Sequence, residues 1–212
     1  MEDVTLKGFD LRPAQEVKRQ PEKPQVKPGK IYTFYSFKGG VGRSMAMANV
    51  AVSLAVQGNK VLMIGFDLEA PGLEHFFFSH DPTLQDRLRS GSGLIDLLTP
   101  KSMDLRSVVT KVNLDLEALS FAVNEPNDGA RLDIIQSGRA SRAANDYTQL
   151  VQNLNLDDLY TKHDIGNRFG AYRGEWLAKY DYVLIDSRSG MTDSGDLCTV
   201  VLVYVRTALR RP

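Results

Sequence analysis

Residues 31–44 read Ile31-Tyr32-Thr33-Phe34-Tyr35-Ser36-Phe37-Lys38-Gly39-Gly40-Val41-Gly42-Arg43-Ser44. The first seven are β-branched or aromatic for the most part, the composition of a strand, and they run directly into a glycine-rich turn. From Ser44 to Gln57, Met45, Ala48, Val52 and Ala55 recur as on one face of a helix, and Gly58-Asn59 closes it. A second apolar strand, Val61-Leu62-Met63-Ile64-Gly65-Phe66-Asp67, follows almost at once. Strand, helix and strand on short joints make a βαβ unit, with parallel strands and a right-handed crossover.

Working outward, the alternation continues. Leu84 to Leu98 reads as helix in two pieces, broken at Gly91-Ser92-Gly93, and Ser102 to Lys111 as another short helix. Leu116 to Val123 and Leu132 to Gln136 read as strands, Ser141 to Leu154 and a segment around Glu175 to Lys179 as helices. Asp181-Tyr182-Val183-Leu184-Ile185-Asp186 is a short apolar strand ending in an acid, and Thr199 to Val205 has the composition of one more. This order predicts an α/β fold: a mostly parallel twisted sheet with helices on both faces. Residues 1–30, with Pro13, Pro21, Pro24 and Pro28, read as an irregular leader, 31–206 as the folded domain, and 207–212 as a tail.

Composition narrows the function classes. The 212 residues carry 26 Lys+Arg and 26 Asp+Glu, so no global basic field draws the chain to nucleic acid or an anionic membrane. No apolar run approaches the ~18–20 residues of a membrane span, and no signal-like segment opens the chain. The single cysteine, Cys198, rules out an internal disulfide, which fits a cytoplasmic location. His75, His80 and His163 lack metal-ligand spacing, and Phe76-Phe77-Phe78 between two of them reads as core or interface.

The glycine turn carries the chemistry. Backbone N–H groups at a helix N-terminus form a ready anion site, and glycines allow the backbone to approach phosphate oxygens closely. Gly39, Gly40 and Gly42 stand between strand and helix, the context that makes a P-loop match credible. Ser44 occupies the place of the hydroxyl ligand to Mg²⁺, and Arg43 the place where a lysine normally reaches the β- and γ-phosphates. Arginine keeps the charge, but its planar fork is larger than an ammonium and differs in geometry, so nucleotide binding is a safer expectation than fast hydrolysis.

At these residues the chain resembles the ParA/MinD group of P-loop ATPases (deviant Walker A, SIMIBI class, with the CobQ/CobB relatives), whose loop reads Lys-Gly-Gly-x-Gly-Lys-Ser/Thr. The resemblance covers roughly residues 31–205, weakly in the middle. It implies ATP and Mg²⁺ as ligands, with Gly39, Gly40, Val41, Gly42, Arg43 and Ser44 around the phosphates. It gives Lys38 the role of the signature lysine that reaches across a nucleotide-sandwich homodimer to the partner's phosphates. Asp67 takes the place of the aspartate that positions the attacking water, and Asp186 that of the Walker B acid at the metal beside Ser44. Gly190 resembles the glycine whose N–H senses the γ-phosphate.

Three departures stand out. Phe37 replaces the first glycine of the general Walker pattern, Arg43 the lysine, and Gly65 a second acid common two residues before Asp67. Arg188, where the family often has proline, reads equally as a phosphate or partner contact and as a solvated charge. The chain past Asp186 is short for the group, which reads as a fold incomplete at the C-terminus, from a truncated or frame-shifted product. The resemblance thus implies an ATP-hydrolysing dimerising switch. The alternative is a nucleotide-binding interaction module, or a remnant, with little or no catalysis. A bacterial tyrosine kinase is a remoter option, since that group shares the loop.

Overall fold

The computed structural model describes residues 28–99, 103–115, 129–138 and 142–187. Five strands form one sheet: β1 (Lys30–Phe34), β2 (Lys60–Gly65), β3 (Thr110–Val112), β4 (Arg131–Ile135) and β5 (Tyr182–Asp186), in the order β1-β5-β2-β4-β3. All pairings are parallel except that of β3 with β4. The α/β expectation holds. The assignments to the leader before residue 28, Leu116 to Val123, Arg188, Gly190, Cys198, Thr199 to Val205 and the tail lie outside the described residues.

Strand alternation divides the core in two. Val61 and Met63 of β2, Leu132 and Ile134 of β4 and Leu184 of β5 face α1 (Arg43–Val56), a 3₁₀ turn (Leu73–Phe77) and α2 (Leu84–Ser90). Leu62, Ile64, Ile135, Val183 and Ile185 face α3 (Leu94–Leu97), α4 (Ala144–Gln152), α5 (Leu156–His163) and α6 (Ile165–Lys179). On α6, Ile165, Phe169, Tyr172 and Trp176 keep one buried helical face; the three rings pack on one another, and Phe169 meets Phe66 edge-on. Helices therefore cover both faces, as the alternation of elements predicts.

Several boundaries differ from the sequence reading. β1 ends at Phe34, because its neighbour β5 ends at Asp186 and the Ser187 N–H closes the ladder on the Phe34 carbonyl at 3.2 Å. Within Ser102 to Lys111 there is only a 3₁₀ turn, Leu105–Ser107, and the β-branched residues after it turn into the antiparallel edge strand β3. On α1 the buried side chains are Met47, Ala48, Ala51 and Ala55, while Met45 is 54% exposed. The inward face is thus rotated from the one that the larger apolar residues suggest, because small residues let the helix lie close on the sheet. Gly58 and Asn59 do close the helix, with the Asn59 side-chain amide donating to the Leu54 carbonyl at 2.9 Å.

The two ends of the sheet are unlike. At the amino ends of the strands, the Tyr180 hydroxyl donates to Asp133 at 2.5 Å and accepts from Arg131 at 2.8 Å, tying the end of α6 to β4. Burial and the Asp133 carboxylate push that hydroxyl above its ordinary range. The carboxyl ends gather the glycine loop, Asp67 and Asp186.

Candidate functional site

The loop between β1 and α1 is built from its glycines. Gly40 and Gly42 have φ of 73° and 80°, in the left-handed region where an L side chain is strained. Gly42 is the N-cap of α1, no side chain caps the helix, and no acid stands in its first turn. The first N–H groups of α1 thus face the loop without a side-chain acceptor, which is the requirement of an anion site. A short brace holds the loop's entry: the Ser36 hydroxyl donates to the Lys38 carbonyl at 3.0 Å. Gly39, Val41 and Lys38 are exposed, Ser44 is half-buried in the first turn, and Phe37 stands 79% exposed with its ring edge-on to Tyr35.

Sheet order brings the two acids to this loop. β5 lies between β1 and β2, so Asp186 pairs in register with Phe34 on one side and Gly65 on the other. Asp67 follows β2 two residues later, and the Ala70 N–H fixes its Oδ1 at 3.1 Å. Arg43 joins both acids: its Nε donates to Asp186 Oδ1 at 2.7 Å and its Nη2 to Asp67 Oδ2 at 3.0 Å. Its Nη1 lies 3.4 Å from the Ser36 hydroxyl. All three side chains of the ion-paired group are largely buried, Arg43 at 11%, Asp67 at 13% and Asp186 at 4% exposure. The structure therefore draws Arg43, Asp67 and Asp186 into one cluster beside Ser44. Lys38 stays apart, with no ion pair among the described residues. Gly190 lies outside the described residues.

Two features were not legible in the sequence. Ser36 sits in a run read as strand, and nothing in its neighbours marks it as the brace of the loop. The pairing of Arg43 with both acids, in place of an orientation toward the loop's anion site, depends on strand order. The spacing of the three residues along the chain does not encode it.

A parallel sheet whose first strand turns through left-handed glycines into a helix, with acids at the ends of the two neighbouring strands, defines a P-loop nucleoside-triphosphatase fold. Residues 29–116 match a family model described as an AAA domain. The fold is that of the P-loop NTPases, and the chain shares it with a plasmid partition protein of known structure.

Over 67 residues it is 40% identical to the chlorophyllide reductase 35.5 kDa chain of Rhodobacter capsulatus, covering 29% of this chain and 20% of that protein. The cytosolic Fe-S cluster assembly factor CFD1 of Yarrowia lipolytica is 36% identical over 98 residues, 46% of this chain and 30% of that one. Among solved structures, a putative plasmid partition protein from Borrelia burgdorferi B31 bound to AMPPNP superposes with a TM-score of 0.54 at 22% identity. That match covers 83% of this chain and 60% of the other. The BceF tyrosine kinase domain matches with a TM-score of 0.50 at 22% identity, covering 81% and 52%. At such identities the likeness is one of fold. The chain spans less than a third of the length of these two curated relatives. No described helix is long and apolar enough to cross a membrane.

Proposed function

We propose that the chain binds ATP with Mg²⁺ and hydrolyses it as a dimerising switch of the ParA/MinD type, acting in the cytoplasm. One observation carries this reading: an uncapped helix N-terminus behind Gly40 and Gly42 faces the end of the sheet where Asp67 and Asp186 meet. Gly39, Gly40, Val41, Gly42 and Ser44 line the phosphates through their N–H groups. The Ser44 hydroxyl and an Asp186 carboxylate oxygen are hard donors of the kind Mg²⁺ takes alongside phosphate oxygens, and the site fits that ion. When bound, Mg²⁺ supplies neutralisation of the charge that develops on the transferred phosphoryl group.

The remaining steps belong to the chain's own side chains. Asp67, pinned at one oxygen by the Ala70 N–H, orients water with the other once Arg43 leaves it. Arg43 then stabilises phosphate charge. In this reading Lys38, exposed and without an ion pair among the described residues, reaches a second copy's phosphates. Gly190 serves the γ-phosphate in this reading. ATP turnover of the wild type and Asp67→Ala tests the assignment: a loss of about 100-fold is expected, in the range of general acid–base contributions. Equal rates would remove Asp67 from the mechanism.

A second reading has its own support. Arg43 is committed to Asp67 and Asp186, and Gly65 offers no second acid, so the site can hold nucleotide without useful turnover. Binding of labelled ATP with no phosphate released above background would favour this interaction module over the switch.

A further inference from the structure

The guanidinium of Arg43 is the most heavily engaged group in the site. Nε lies 2.7 Å from Asp186 Oδ1, Nη2 lies 3.0 Å from Asp67 Oδ2, and Nη1 lies 3.4 Å from the Ser36 hydroxyl. Each nitrogen of the planar fork is thus directed at an acceptor on a different segment. The fork is fixed in one orientation, and the Asp186 side chain is only 4% exposed. A cation arriving from solvent meets a carboxylate oxygen already occupied by a charge-assisted hydrogen bond, in surroundings that screen charge poorly.

An anionic phosphate in the loop changes that balance. It offers the guanidinium, on the first residue of α1, a bidentate partner of its own charge complement. Each Arg43 donor that turns to phosphate frees an acid oxygen, and the oxygen freed at Asp186 is the one the metal requires. We propose that Arg43 is a latch: it bars Asp186 to a divalent cation until phosphate draws the guanidinium away, so that metal binding follows nucleotide binding. The latch rests on the nucleotide-site reading of Asp186 given above. It assigns the arginine a task that a lysine does less well, because one rotating ammonium cannot hold three divergent acceptors along fixed directions. Linkage makes the effect mutual: whatever factor the nucleotide adds to metal affinity, the metal adds to nucleotide affinity.

The test is a Mn²⁺ titration followed by electron paramagnetic resonance, on the whole chain without nucleotide. Wild type, Arg43→Lys and Arg43→Gln are compared, each checked for folding by circular dichroism. The latch predicts Mn²⁺ affinity at least tenfold higher in Arg43→Lys than in the wild type, and as high or higher in Arg43→Gln. Adding Asp186→Asn to either variant abolishes the gain. Arg43→Lys separates the latch from simple charge: if only Arg43→Gln tightens, net charge is the cause and the latch is overturned. Equal affinities in all three proteins, or a gain that survives Asp186→Asn, overturn it as well. If Arg43→Lys fails to fold, Arg43→Gln is compared with Lys38→Gln, which removes the same charge from the same loop: a gain in Arg43→Gln alone, lost with Asp186→Asn, upholds the latch, and any other result overturns it. No nucleotide enters the titration, so failure of the latch and failure to bind ATP remain distinguishable.

Discussion

Gly65 and Asp186 stand opposite each other in the parallel register of β2 with β5. The position that holds a second acid in the resembled group is therefore adjacent to Asp186, and here it carries no side chain. Its backbone is ordinary strand, and a Cβ there would meet the Ile135 carbonyl oxygen and the Ser137 nitrogen at 3.6 Å, a normal contact. The glycine is a stability cost without a steric reason.

Gly65→Ala is expected to stabilise the protein by about 0.4–1 kcal/mol through the unfolded chain. At this chain length that is a rise in Tm of roughly 1–4 °C. Calorimetry measures it, and a lower Tm would show a constraint at Gly65 beyond the contacts described.

Gly93 answers the opposite way. A Cβ at Gly93 would lie 2.3 Å from both Cα and N of Gly138, backbone that cannot move aside cheaply. The approach is closed by the Leu94 N–H on the Gln136 carbonyl at 2.8 Å and the Ile95 N–H on the Ser137 carbonyl at 3.0 Å. Gly93→Ala is expected to cost about 3 kcal/mol or more, the upper range for overpacking. Urea unfolding followed by the fluorescence of Trp176, the chain's one tryptophan and 1% exposed, reads it directly.

Asp81 supplies a pH dependence. It is 3% exposed, and its carboxylate accepts the Thr83 hydroxyl at 2.9 Å and the Asn113 N–H at 2.8 Å, and pairs with Arg87. Burial alone would push this carboxyl up. The Asn113 and Thr83 hydrogen bonds and Arg87 outweigh it and hold the group below its ordinary value. The folded chain then releases this proton more readily than the unfolded one, so the stabilisation is full above about pH 4 and drains away as pH falls through the lower folded-state value. Asp81→Asn should lower stability at pH 7 by about 1–3 kcal/mol and flatten the acid limb of the stability profile. Identical acid slopes in wild type and variant would exclude the assignment.

Local patterns carried most of the fold. β1, α1, β2 and β5 each announce themselves through short-range composition, and the glycine loop through its setting between the first two. Elements failed where a distant contact decided. α6 runs from Ile165 to Lys179, yet Gly166, Gly170 and Gly174 depress its propensity, so only its last turns read as helix. Its stability comes from Phe169, Tyr172 and Trp176 packing on each other and from Phe169 packing on Phe66. α5 escaped notice because it follows α4 after a short joint, where the Asn155 side chain caps it by accepting the Asp158 N–H at 3.0 Å. Within the site, residue types and strand ends were readable. Which acceptors Arg43 takes was not, because a rotamer across three segments has no signature along the chain.

The sheet order also sets a timetable for folding. β1 leads the described chain, but its sheet partner is β5, and Lys30 pairs with Tyr182. Such high contact order makes the closing of the loop-bearing strand a late and slow event. During synthesis the segment Lys30–Phe34 waits, apolar and unpaired, until nearly all of the described chain has emerged. Variants that weaken β5 should therefore show first as aggregation during expression, before any loss is seen in the assembled protein.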